Sequence, residues 1–209
     1  MAEIMNVSVL YHQYVLLDTD AEAPDGSIDD YVNGNGLVSV NAEGTYASVM
    51  TGTPHGDIPV TFDVHPAEPA LDTDGWDEVV DISMYFSGQG PMIGEPVGDD
   101  LLDAPLPGDE DDYRWWRFRL HARGRDTADH PGSPPEEHLI QVWPAERAPE
   151  TRHKLTDQTG HRSRNPDPDY YAQAKAAEAA AADATELPHS VAYASQPMPP
   201  LTARLHKRR

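Results

Sequence analysis

Apolar and polar positions alternate with a two-residue period over much of residues 1–147, the pattern of strands that bury one face. Ile58, Val60, Phe62 and Val64 oppose Thr61 and Asp63, and Pro59 places the start of that strand toward a sheet edge. Val80, Ile82, Met84 and Phe86 oppose Asp81, Ser83 and Tyr85. The run YRWWRFRLHARGR at 113–125 divides in the same way, with Trp116, Phe118, Leu120 and Ala122 on one side. Arg117, Arg119, His121 and Arg123 fall on the other, with Trp115 beside them. A helix would scatter these arginines around its circumference, so the run reads as a strand. Val7, Val9 and Tyr11 alternate with Ser8 and His12, after which Tyr14 and Leu16 take the opposite parity. That phase change near His12 predicts a bulge, or a strand passing from one sheet to another.

Turn signals separate these runs. Pro24-Asp25-Gly26 lies in an acidic turn region at 18–30, and Asn33-Gly34-Asn35-Gly36 opens a strand at 37–41. Ala42-Glu43-Gly44 turns that strand into another at 45–51, a predicted hairpin. A short strand is expected near Met92-Ile93, a loop at 124–135, and a last strand at 138–143 closed by Pro144. Seven or eight short strands without a helix before Ala148 predict an all-β domain at 1–147, an antiparallel β-sandwich, with a closed barrel as the alternative. Residues 148–169 read as a polar linker. Residues 170–186 read as a marginal alanine-rich helix, capped by Asp169 and stopped by Leu187-Pro188. The chain ends in a basic tail, LHKRR, expected to be disordered.

Charge changes this picture more than composition does. The 209 residues carry a formal net charge of −21, and residues 1–113 hold 24 of the 36 acidic side chains and none of the 15 basic ones. Such a surface repels nucleic-acid phosphates and attracts cations or basic proteins. With no cysteine there is no disulfide framework or thiolate metal site. The N-terminus lacks the basic region of a signal peptide, and no apolar run spans a bilayer, so a cytoplasmic protein is expected.

Catalytic chemistry is not announced. The ten histidines show no pair at helical ligand spacing, so no metal is assigned. Asp18-Thr19-Asp20 and Asp72-Thr73-Asp74-Gly75 lack the full ligand set of a calcium loop. No Gly-x-Ser-x-Gly elbow is present, and neither glycine-rich turn leads into a helix. The reading is therefore a protein that is not an enzyme and needs no cofactor. For the arginine stripe two roles remain open. One is pairing across the sheet, with Arg117 or Arg119 opposite Asp81 or Asp63. The other is a partner site at Arg117 and Arg119, with Trp115 as a stacking platform.

The opening residues 8–14, with Tyr11-His12-Gln13-Tyr14 at their centre, resemble the first strand of the competence protein J family. The closing residues 137–143 and the aromatic strand at 113–120 are similar in order to its later strands. The resemblance implies a single β-sandwich that inhibits a DNA-degrading nuclease, and hence an interaction protein. The acidic residues that would meet such a basic partner are Asp99, Asp100, Asp109, Glu110, Asp111 and Asp112. A carbohydrate- or calcium-binding module is the alternative.

Overall fold

The computed structural model describes residues 2–18, 21, 34–97, 101–128, 130 and 132–186. Among these, the chain forms β1 (Ala2–Leu10), β2 (Gln13–Leu17), β3 (Val38–Val40), β4 (Tyr46–Met50), β5 (His55–Val64) and β6 (Glu78–Phe86). There follow β7 (Met92–Gly94), β8 (Leu101–Asp103), β9 (Arg114–Arg123), β10 (Glu137–Pro144) and β11 (Thr151–Leu155). Two helices close the described chain, α1 (Gln158–Arg164) and α2 (Pro168–Glu186).

The expected two-sheet antiparallel sandwich is not what these strands build. They form one curled mixed sheet, a half-barrel, in the order β11-β6-β9-β10-β5-β1-β2-β4-β3, with β7 on β2 and β8 on β7. All neighbours are antiparallel except β10 and β5, which run parallel from His138 opposite Val60. The period of two names a strand and its buried face but not its neighbour, which is why a sandwich and a single curled sheet read alike. Pro59 illustrates the point, since β5 is central, between β1 and β10, rather than at an edge. Its missing N–H is tolerated because pairing with β10 starts one residue later, at Val60.

The phase change at His12 is a two-residue hairpin turn, not a bulge. Tyr11 and His12 both take positive φ, 55° and 61°, and Leu10 pairs with Gln13. The turn is held from outside: the His12 N–H donates to the Pro54 carbonyl at 3.2 Å and its carbonyl accepts from Thr51 at 2.8 Å. β1 and β2 then part at once, and β7 takes up the edge of β2 at Val15–Leu17. That split is a corner of the curl, and it carries Tyr14 and Leu16 into the same core as Val7 and Val9. The β3–β4 turn is tied back onto β6 by the Tyr85 N–H, which donates to the Gly44 carbonyl at 2.8 Å.

The predicted hairpin at 37–51 is present as β3 and β4. The stretch expected to be a linker is not one throughout. β11 pairs with β6, with Thr151 opposite Asp81, and Asp157 caps α1 by accepting from the Gly160 N–H at 2.7 Å. The alanine-rich helix is α2, and its first turn is held by Asp167 rather than Asp169, since the Asp167 carboxylate accepts from Asp169 N–H at 2.9 Å. Leu187-Pro188 and the basic tail lie outside the described residues, as do most of the acidic turn at 18–30 and both Asp99 and Asp100.

The sheet's concave side holds the apolar core, drawn from Val7, Tyr14, Leu16, Val60, Ile82, Phe86, Trp116, Phe118, Ile140 and their neighbours. Among the described residues no helix is long and apolar enough to cross a membrane.

Candidate functional site

The convex face of the β6–β9 pair carries the arginine stripe, in register as Asp81 with Arg119, Ser83 with Arg117 and Tyr85 with Trp115. Alternation alone would leave this face to solvent. Instead two segments lie over it, the 66–77 connection and the return of the chain through 144–155. Arg119 is 1 % exposed and makes a bidentate pair with Asp81, Nε to Oδ1 at 2.8 Å and Nη2 to Oδ2 at 3.1 Å. It also reaches Glu68 at 3.0 Å and stacks 5.0 Å above Trp143. Burial raises the Asp81 carboxyl, but the hydrogen bonds from Arg119 and His153 outweigh it and hold the group below the usual carboxylate range. Arg117 has no carboxylate. It donates to Ser83 Oγ at 3.0 Å and to the carbonyls of Ala148 and Pro149 at 3.0 and 3.1 Å, and burial lowers its pKa. Arg119 thus takes the cross-sheet pairing with Asp81, Arg117 is satisfied by a hydroxyl and carbonyls instead of a carboxylate, and both arginines are buried.

Trp115 differs. It is half-buried at the open end of the same face, its ring 5.2 Å from Tyr85, which lies 5.7 Å from Tyr113. Tyr113 is 44 % exposed. Gly44 sits beneath the indole at φ +80°, where a Cβ would fall 2.6 Å from Cζ3. No larger residue fits between the hairpin turn and this ring. On the other side of Tyr113 are Asp109, Glu110, Asp111 and Asp112, all exposed. Their turn is fastened by its backbone: the Gly88 N–H donates to the Asp109 carbonyl at 3.0 Å, and Asp112 N–H to the same carbonyl at 3.1 Å. Arg114 sits at the base of the turn, 3.9 Å from Asp112, and donates to the Pro107 carbonyl. The structure therefore brings together Asp109, Glu110, Asp111, Asp112 and Trp115, separates Arg117 and Arg119 from them, and leaves Asp99 and Asp100 undescribed.

Two buried polar clusters were not anticipated. In the first, the Glu136 carboxylate accepts from His138 Nε2 at 3.0 Å, so in the neutral ring Nδ1 is left to accept from the Tyr14 hydroxyl at 3.0 Å. Glu136 also accepts from the N–H groups of Gly52 and Thr53 at 3.1 and 2.8 Å. Burial and the Glu136 charge push the Tyr14 hydroxyl upward. Tyr14, His138 and Glu136 are 0 %, 3 % and 2 % exposed, so this chain is placed to fasten β2 to β10 across the core. In the second, Arg125 is bidentate to Asp157 at 2.6 and 2.9 Å and donates to the carbonyls of Gly36 and Met50. Glu78 accepts the Asp157 N–H at 3.0 Å through one oxygen, while the other has no hydrogen bond and lies 3.6 Å from Arg164. Burial, then the Asp157 charge, push Glu78 up to about 7. A signal for both was available. His138 is in phase with Ile140 and Val142, and Glu78 with Val80 and Ile82, so each is a polar residue at a core position.

No group of three or more His, Asp or Glu among the described residues is arranged to hold a metal. No family model matches this chain, and no curated protein does. The resemblance to the competence protein J family is thereby corrected. Its Tyr11-His12 pair is the tight turn of a β1–β2 hairpin, a local requirement of this fold. A solved structure described as "Crocagin biosynthetic gene J" aligns over 70% of this chain and 99% of its own, at 11% identity and a TM-score of 0.43. A likeness of that size carries no argument about activity.

Proposed function

We propose that this protein is a binding module for a basic protein segment and that its contact face is the 109–112 turn with the aromatic row beside it. The observation that carries this reading is the juxtaposition of four exposed carboxylates on a backbone-fastened turn with the half-exposed rings of Tyr113, Tyr85 and Trp115. Carboxylates attract Lys and Arg at long range, while aromatic faces hold the cation and its alkyl stem at short range. The absence of any basic side chain from residues 1–113 extends the field that steers such a partner.

The test is a titration with a labelled basic peptide at low and high salt, on the wild type and on a variant with Asp109, Asp111 and Asp112 changed to Asn and Glu110 to Gln. Affinity should fall steeply with salt, because exposed charges are screened beyond about 8 Å at physiological ionic strength. The neutralised variant should bind weakly at every salt concentration. Binding that ignores both salt and the substitutions would sink the reading.

A further inference from the structure

At the end of the sheet where β5 and β10 finish, a cleft lies apart from the acidic turn and the aromatic row. Val64, Trp116 and Pro144 stand side by side there, since Pro144 pairs with Trp116 and Val142 with Val64. The segment that follows β8 crosses in front of them as a strap. Its Ala104 and Leu106 are buried, and their N–H groups donate to the carbonyls of Pro91 at 3.0 Å and Gly88 at 3.1 Å. Two cavities lie between strap and sheet. One, of about 310 Å³, is walled by Val64, Pro66, Pro107, Trp116 and Pro144, and its polar groups are Arg114 and His65, with no carboxylate among the described lining residues. The other, of about 320 Å³, is lined by Phe62, Ala104, Pro105 and Leu106 and has Glu3 as its charged residue. Val64 and Pro107 line both, which makes them two halves of one cleft.

The two basic groups are not equivalent. His65 is already paired, with Asp63 at 3.0 Å. Arg114 lies 4.8 Å from the Trp116 ring and donates through Nη2 to the Pro107 carbonyl, while its Nε is buried with no acceptor among the described residues. Asp112 stands 3.9 Å from Nη2, too far for a hydrogen bond. A buried donor left unmet costs free energy until an acceptor reaches it.

We propose that this cleft binds a free medium-chain fatty acid, with its carboxylate on Arg114 and its chain running past Val64 and Pro107 into the half lined by Phe62. The proposal goes beyond the basic-segment reading and does not depend on it. Charge complementarity fixes the direction, since Arg114 marks one half of the cleft and Glu3 the other. The walls between them are valine, proline, phenylalanine and leucine side chains, which offer no hydrogen bond, so the body of the ligand has to be apolar. A mostly apolar pocket with one or two placed polar groups is the usual form of a small-molecule site. A carboxylate takes Nε and Nη2 together, an edge that the partly exposed Arg114 presents by turning from the Pro107 carbonyl. The net charge of −21 opposes an anion at long range, so the affinity comes from the buried chain and the one guanidinium contact.

The experiment is a calorimetric titration of the full chain with butanoate, hexanoate, octanoate and, as the uncharged analogue, octanol. One molecule should bind per chain, and affinity should rise about fourfold with each added methylene up to octanoate. Octanol should bind about tenfold more weakly than octanoate, the worth of a hydrogen bond to a charged group. Arg114→Gln should bring octanoate down to the octanol level and leave octanol as it was, which an unfolded variant would not do. Val64→Phe, which narrows the passage between the halves, should flatten the gain beyond hexanoate; circular dichroism checks that it is folded. Glu3→Gln should leave octanoate affinity nearly unchanged, and a large gain would put the carboxylate at the other end and overturn the assignment to Arg114. Octanol binding as well as octanoate, or octanoate indifferent to Arg114→Gln, overturns the guanidinium contact. No dependence on chain length, several molecules bound per chain, or no binding of any of the four overturns the cleft as a fatty-acid site.

Discussion

Asp81 and Glu78 sit three residues apart on one strand, on opposite faces, both buried, and they end in opposite electrostatic states. Asp81 faces a guanidinium committed to it in bidentate geometry, and its pKa is lowered. Glu78 has no guanidinium hydrogen-bonded to it, since Arg125 spends its bidentate pair on Asp157 and Arg164 stands 3.6 Å away, and its pKa rises to about 7. Burial acts in the same direction on both. What separates them is whether a guanidinium closes hydrogen bonds onto the carboxylate, because an ion inside a protein is tolerable only when paired and hydrogen-bonded.

The largest expected effect comes from breaking the served pair. Arg119→Met should strand Asp81 and cost about 3–5 kcal/mol in urea unfolding, whereas Arg119→Met with Asp81→Leu should recover most of it. A loss below about 1 kcal/mol, the ceiling for exposed pairs, would mean that the pair is not closed off from water. Next is the carboxylate that no guanidinium hydrogen-bonds. Because Glu78 holds its proton more tightly folded than unfolded, its contribution is present below its ordinary value of 4.5 and is lost as the pH rises to about 7. That loss is on the order of 3 kcal/mol from the size of the shift. Glu78→Gln should flatten the stability profile between pH 5 and 8 and be the more stable protein at pH 8. An unchanged slope would place the titration elsewhere. Asp81 has the opposite sign, its stabilisation present at neutral pH and lost only in acid, below the ordinary carboxylate range.

Smaller is the effect on the cross-core link. Tyr14→Phe removes the hydroxyl from His138 Nδ1 and should cost about 1–2 kcal/mol at pH 7. The smallest is at the surface: neutralising residues 109–112 should move stability by no more than about 0.5 kcal/mol, because these carboxylates are exposed. A large destabilisation there would show the turn to be structural and take away its role as a contact face.

Much of the strand content was legible in the chain, for a simple reason. A period of two is a local property, and Ile58 to Val64, Val80 to Phe86 and Trp116 to Ala122 each carry it without help from distant residues. The opposition of Arg119 and Asp81 was also foreseeable as one of two possibilities, since each lies on the polar face of an adjacent candidate strand. The hairpin at Tyr11-His12 was hidden because two non-glycine residues take positive φ, which their side chains do not announce. β11 was hidden because TRHKL alternates weakly and becomes a strand by pairing with β6.

The sequence by itself determined most of the strands before residue 148, which of their faces is apolar, and that every Lys and Arg follows Tyr113. Tertiary structure alone decided which strands are neighbours, and so that one sheet curls where two were expected. It decided also that the polar face of β9 is covered, turning Arg117 and Arg119 into internal groups and leaving Trp115 at the open end beside the acidic turn. The physical reason is range: alternation is written between adjacent residues, whereas burial of a polar face depends on segments at 66–77 and 144–155 that the chain brings back from a distance.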